Sequence, residues 1–263
     1  MRVDVAVATS NSERTLGKCL ESINRFVPVH HLIVVDGNSE DRTRSIATRH
    51  NARIVPEPGL LGKVRYIQAL SCDTDWIALV DSDVYLYESW WHELSKHTKD
   101  RDVGMIVGFT APHERNDQSN TVYGRYLAYL NRFGAVAFSN ALVRRDLILA
   151  CKDLLNNVHA GEDSVFAQYL RRRNLVVINV TSPVCYHDTA VTRRHTRAYF
   201  RWGQSVRVRE GILGSFTVAR GLATFAQNWI GFTRTSCHFR NLTLIPVLLN
   251  LWMWGVAGFV IGL

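Results

Sequence analysis

Cysteine is sparse in this chain and follows no pattern. Cys19, Cys72, Cys151, Cys185 and Cys237 are scattered, odd in number and include no Cys-x-x-Cys pair, so neither a disulfide framework nor a zinc site is indicated. A reducing compartment fits that usage. The opening Val3-Asp4-Val5-Ala6-Val7-Ala8 has none of the sections of a secretory signal and reads directly as a strand, so nothing there calls for secretion. Internal repeats and low-complexity tracts are missing, which sets aside solenoid and disordered classes. No nucleic-acid-binding motif accompanies the basic balance, and no nucleic-acid partner is expected. The net charge of +8 and pI of about 9.5 then suit a phosphorylated ligand or the acidic face of a bilayer.

The 263 residues are enough for one sizeable core with an appendage, and 47% hydrophobic against 21% charged residues fits a folded chain. Short apolar runs alternate with segments of helical period. Val3 to Ala8 is followed by Leu16, Leu20 and Ile23 on one helical face. Leu32 to Val35 ends in Asp36-Gly37-Asn38-Ser39, a turn whose Ser39 suits a helix cap. Ala52 to Val55, Trp76 to Val80, Val103 to Phe109 and Leu175 to Val180 read as further strands, and Lys63 to Leu70 as a helix. Alternation of this kind predicts an α/β protein with a parallel sheet covered by helices. Ligands of open sheets bind beyond the carboxyl ends of the strands. Thr9-Ser10-Asn11, Asp36 to Asp41 and Asp81-Ser82-Asp83 each follow a strand, so all three polar clusters are expected at one edge.

Asp81 and Asp83 suit a hard divalent cation, because carboxylate oxygens bind Mg²⁺ or Mn²⁺ and an ion there bridges to a diphosphate. An Asp-x-Asp triplet also serves as a turn or a helix cap, and its weight comes from standing at the end of the apolar strand Trp76 to Val80. Asp36 likewise fits an Asx turn on local chemistry, and Arg65 fits a solvated helix charge. Glu162 and Asp163 open a helical segment, where negative charge is favoured in any protein.

Taken in order, these segments resemble family 2 glycosyltransferases of the GT-A fold. Val5 to Asn11, Ile33 to Thr43, Gly62-Lys63-Val64-Arg65-Tyr66-Ile67 and Trp76 to Asp83 are similar to the family's opening strand, second motif, helix start and metal strand. The resemblance covers roughly residues 3 to 190 and is tightest in the first half. It implies a Rossmann-like, mostly parallel central sheet with flanking helices, in a catalytic domain of residues 1–190. Residues 1–109 of it would bind the nucleotide-sugar, and residues 110–190 would form the acceptor and catalytic part.

On the same resemblance, Asp36 lies beside the nucleotide base, Thr9 near the nucleoside and Arg65 close to the nucleotide or its phosphates. Asp81 faces the ribose and the metal, with Ser82 in the nucleotide-sugar site. Asp83 coordinates a Mg²⁺ or Mn²⁺ cofactor, and His187 completes its shell. Asp163 acts as the base of an inverting transfer, and Glu162 orients it or holds an acceptor group. Asn38, Glu40 and Tyr66 depart from the family's commoner residues, which blurs the identity of the donor. Arg201-Trp202 is similar to an element of processive members, but the surrounding pattern is incomplete.

The remainder reads as membrane-facing. Arg193, Arg194, Arg197, Arg201, Arg207 and Arg209 make a basic stretch within a membrane-proximal segment, residues 191–241, suited to anionic headgroups. Gly211 to Phe232 is apolar but carries Arg220, which favours an interfacial helix. Leu242 to Leu263 carries no charge and is long enough to cross roughly 30 Å of hydrocarbon as one helix. One C-terminal membrane helix, a catalytic domain on the cytoplasmic face and a lipid-linked acceptor, either a polyprenyl phosphate or a lipid-carried glycan, are therefore expected. The competing readings are a nucleotidyltransferase, which would release pyrophosphate, and a silent membrane adapter, which would consume no nucleotide-sugar.

Overall fold

The structure, a computed structural model, describes residues 1–111, 136–158 and 161–188. The expected loop through Asn116 and Ser119, the aromatic stretch from Tyr123 to Phe133, the basic segment 191–241 and the expected membrane helix 242–263 lie outside the described residues. Among those described, no helix is long and apolar enough to cross a membrane.

Eight strands are described: β1 Val3–Thr9, β2 Val29–Asp36, β3 Arg53–Pro56, β4 Trp76–Asp81, β5 Val84–Leu86, β6 Val103–Ala111, β7 Asn140–Arg144 and β8 Val176–His187. The described helices are α1 Leu16–Phe26, α2 Thr43–Arg49, α3 Leu61–Leu70, α4 Ser89–Ser95, α5 Arg145–Ala150, α6 Lys152–Leu155 and α7 Glu162–Arg171. The strands form one sheet in the order β3-β2-β1-β4-β7-β6-β8-β5.

The four strands at one side, β3-β2-β1-β4, are parallel throughout. β1, β4 and the Leu32–Asp36 part of β2 are buried on both faces, which is why they read as nearly unbroken apolar runs, whereas the edge strand β3 is only partly covered. Their side chains divide with period two. Val5, Val7, Val34, Ala78 and Val80 join the core under α1, where Leu16, Cys19, Leu20 and Ile23 are buried. Ala6, Ile33, Val35, Ile77 and Leu79 join the opposite core with Val64 and Ala69 of α3 and Phe166 and Leu170 of α7.

The expectation of a mostly parallel sheet is corrected on the other side. β7 runs antiparallel to both β4 and β6, and β8, parallel to β6, is antiparallel to β5. Periodicity reveals a strand but not its direction, so this part of the topology had no sequence signal. β7 comes from the second part of the expected catalytic domain, yet it inserts between β4 and β6 of the first. β5 was not anticipated, and β8 runs seven residues beyond the expected end at Val180, to His187. Ser39 does not cap α2: its hydroxyl turns back to Asp36, and Asp41 instead accepts the Thr43 N–H at 2.9 Å.

Candidate active site

The register of the parallel strands fixes the candidate edge. Thr9 stands opposite Asp36, and Ala8 opposite Asp81, so β1, β2 and β4 end side by side. The three polar clusters that follow these strands therefore meet, as strand order and register require.

Asp36 is fully buried and surrounded by donors from its own chain. Thr9 Oγ1 donates at 3.1 Å, the Ser39 N–H at 3.1 Å and Arg44 Nε at 2.7 Å, with the Ser39 hydroxyl closer still. Burial opposes the charge, but the bonds from Ser39, Arg44 and Thr9 outweigh it and hold the carboxyl below its usual range. Arg44 also reaches Asn38 Oδ1 and remains half exposed, so a cation covers the carboxylate at the surface. Sequence reasoning missed Arg44. Its signal was the spacing from Asp36 across a turn into a helix.

Arg65 is buried, contrary to the reading of it as a solvated charge. Gly62, Arg65, Gln68 and Ala69 share the buried face of α3, a three-and-four spacing that marks the side turned inward. Arg65 Nη2 donates to Asp81 Oδ1 at 2.8 Å, and Nε to Glu162 Oε1 at 3.3 Å. Gln68 accepts from Arg65 Nη1 at 3.2 Å and anchors to the Ala6 carbonyl at 2.7 Å. One guanidinium thus joins the end of β4 to the first turn of α7. Burial raises the Glu162 carboxyl to about 7, Arg65 offsetting part of this and neighbouring Asp163 adding to it. Gly161, at φ +77°, turns the chain into α7 through a left-handed conformation suited to glycine. Asp163 follows Glu162 in the first turn, half-buried, with Oδ1 accepting the Ser164 N–H at 2.6 Å.

Asp83 and His187 meet because β8 pairs antiparallel with β5, with Val84 opposite His187. Asp83 Oδ1 lies 3.0 Å from His187 Nε2. Burial opposes protonation of the imidazole, but Asp83 overrides it and, with Asp81 and Asp188, raises the His187 pKa above its ordinary 6.5. The Asp188 N–H donates to the Asp83 carbonyl at 2.7 Å, and Asp188 Oδ2 accepts from Tyr85 at 2.8 Å and from Arg14 at 3.0 Å. Ser82 Oγ donates to Ser12 Oγ at 2.8 Å, tying this turn to the one after β1. An imidazole against a carboxylate, beside a second carboxylate, is a donor set that fits a divalent cation.

A mixed α/β sheet of this order, with acidic groups gathered where its parallel strands end, defines a protein of GT-A-like fold. The model of glycosyl transferase family 2 matches residues 4–196, and the chain belongs to that family. Among curated relatives, an uncharacterised glycosyltransferase from Rickettsia felis is 23% identical over 173 residues, covering 59% of this chain and 60% of the relative. The chain thus spans about 60% of the length of that relative. Among solved structures, a mannosyltransferase from Pyrobaculum calidifontis, in complex with GDP-Man and Mn²⁺, has a TM-score of 0.67 at 15% identity, over 99% of this chain and 86% of its own. Glucosyl-3-phosphoglycerate synthase from Mycobacterium tuberculosis, in complex with phosphoglyceric acid, has a TM-score of 0.58 at 18% identity, over 82% and 81%.

Proposed function

We propose that the protein transfers a sugar from a nucleotide-sugar to an acceptor with inversion at the anomeric carbon. The observation that carries this reading is the Arg65 bridge, which holds Asp81 and Glu162, and hence the donor edge and the helix bearing Asp163, against one side chain. Thr9 and Asp36, with Arg44 over it, form the nucleoside end, and Asp81 and Ser82 line the path toward the diphosphate. Asp83, Asp81 and His187 would hold a divalent cation, in keeping with the GDP-Man and Mn²⁺ of the Pyrobaculum enzyme. When bound, Mg²⁺ or Mn²⁺ supplies positive charge to the diphosphate oxygens.

Asp163 takes the proton of the acceptor hydroxyl as that oxygen forms a bond to the anomeric carbon. The bond from that carbon to the diphosphate breaks, and nucleoside diphosphate leaves with the electron pair. Glu162, held by Arg65, fixes the first turn of α7 and with it the position of Asp163. General-base help of this kind is worth about 10²–10⁴-fold. The basic sequence from Arg193 to Arg209 and the uncharged stretch 242–263 support a lipid-linked acceptor at a membrane surface, with the catalytic domain on the cytoplasmic face.

Incubation with a panel of radiolabelled nucleotide-sugars and membrane lipid extract, with Mn²⁺ or with chelator, tests the reading. Metal-dependent release of nucleoside diphosphate with label entering the organic phase is expected. Pyrophosphate as the leaving group would establish a nucleotidyltransferase instead, and no turnover with any donor would favour an adapter.

A further inference from the structure

A second cluster of ligating groups lies at the opposite end of the sheet. Between Val3↔Val29 and Val5↔Leu32, β1 advances two residues while β2 advances three, so β2 carries a bulge at His30 and His31. In a regular strand adjacent side chains point to opposite faces. The bulge cancels that alternation, and the two imidazole rings lie with centroids 3.9 Å apart. Across from them is Asp4, wholly buried. Its Oδ1 is 3.1 Å from His31 Nδ1, and Asp73 Oδ2 lies 3.9 Å from the same nitrogen. One ligand atom each from Asp4, His30 and His31 fall within 4.8 Å of one another.

We propose that Asp4, His30, His31 and Asp73 form a second divalent-metal site, distinct from the one at Asp83 and His187, that takes a Zn²⁺-class ion. Four ligands about 2.0–2.1 Å from a tetrahedral ion are about 3.3 Å apart, so the Asp4 to His31 spacing is already that of a coordination edge. Two imidazoles with two carboxylates select a transition metal over Mg²⁺ or Ca²⁺, and two carboxylates balance its charge. Asp4 Oδ1 also accepts the His31 N–H at 3.0 Å, and Oδ2 accepts the N–H groups of Asp73 and Thr74. Those amides fix the carboxylate as second partners fix a ligand, and the ion replaces only the ring contact. His31 is half exposed and Asp73 mostly exposed, which gives an ion access. Asp4 and Thr9 are five residues apart on β1, about 16 Å, so the two sites do not share ligands. The ion ties together the start of β1, the bulge of β2 and the turn before β4.

Co²⁺ titration of the full-length chain tests this. In Asp83→Asn, which removes a ligand of the catalytic-edge site, the visible bands of a four-coordinate ion are expected to saturate at one Co²⁺ per chain and to be displaced by Zn²⁺. Adding His30→Gln, which leaves the Asp4–His31 contact in place and so the fold, should weaken that binding at least about 100-fold, more than the loss of an outer-shell partner. Bands absent from Asp83→Asn, or unchanged by His30→Gln, overturn the site. Nucleoside diphosphate release by His30→Gln alone should equal that of the unaltered protein, so this proposal and the transferase reading fail separately.

Discussion

At the scale of single residues, the most consequential group is Arg65, a cation with 2% of its side chain exposed between two carboxylates. Arg65→Met leaves Glu162 buried without its counter-charge, and breaking a buried pair from one side costs about 3–5 kcal/mol. Denaturant unfolding is expected to show a loss of that size, with Arg65→Lys intermediate because ammonium lacks the fork that reaches both partners. Asp83 is different: it is partly exposed, so Asp83→Asn should leave the unfolding midpoint in chelator little changed. It should nevertheless lower kcat/KM by about 10²–10³-fold, equivalent to about 3–4 kcal/mol of transition-state stabilisation. Steady-state kinetics beside a melting curve separates the two. Asp163→Asn distinguishes acceptors. A sugar hydroxyl needs a base, and the variant then loses about 10²–10⁴-fold in kcat, whereas a phosphate acceptor is already ionised and the loss stays below about tenfold.

At the scale of elements, α3 must approach α6 closely to bring Arg65 to the edge. The Gly62 N–H donates to the Val158 carbonyl at 3.1 Å, and a Cβ at Gly62 would collide with the Leu155 carbonyl. The obstacle is backbone and cannot rotate away, so Gly62→Ala is expected to destabilise by about 1–3 kcal/mol, read as a lower unfolding midpoint. Because α3 then shifts, kcat/KM should fall with it. The motif Gly62 to Ile67 was legible as letters, but the reason for its glycine lies in a helix some ninety residues later. The parallel strands were likewise legible, since burial on both faces imposes continuous apolar runs and Thr9, Asp36 and Asp81 follow directly. β5 was not: Val84–Leu86 is too short for a periodic signal. Without it, the meeting of His187 with Asp83 was expected from the family resemblance alone, and periodicity supplied no reason for it. The antiparallel insertion of β7 was equally hidden, because a five-residue run such as Asn140–Arg144 reads the same in either direction.

For the whole molecule, pH acts through groups of opposite sign. Asp36 and Asp4 have depressed folded pKa values, so their contribution is present above the ordinary carboxyl value of 3.8 and is lost as pH falls through the lower folded value. Glu162 and His187 are raised. Their contributions are complete below the unfolded values of 4.5 and 6.5 and are lost as pH rises through the folded ones, about 7 for Glu162. Without added metal, the melting temperature should therefore fall on the acid side through Asp36 and Asp4, and fall again as pH rises through neutrality. A metal at Asp83 and His187 requires the imidazole unprotonated, so its binding strengthens over the same range in which the metal-free protein weakens. The rise in melting temperature produced by Mn²⁺ over chelator should accordingly grow between about pH 6 and pH 8, the range in which a histidine titrates. Measured in a His30→Gln background, so that no ion at the second site contributes, the addition of His187→Gln should abolish that growth, leaving a smaller increment nearly independent of pH. An increment with the same pH dependence in both proteins would remove His187 from the metal site while leaving Asp81 and Asp83 in it.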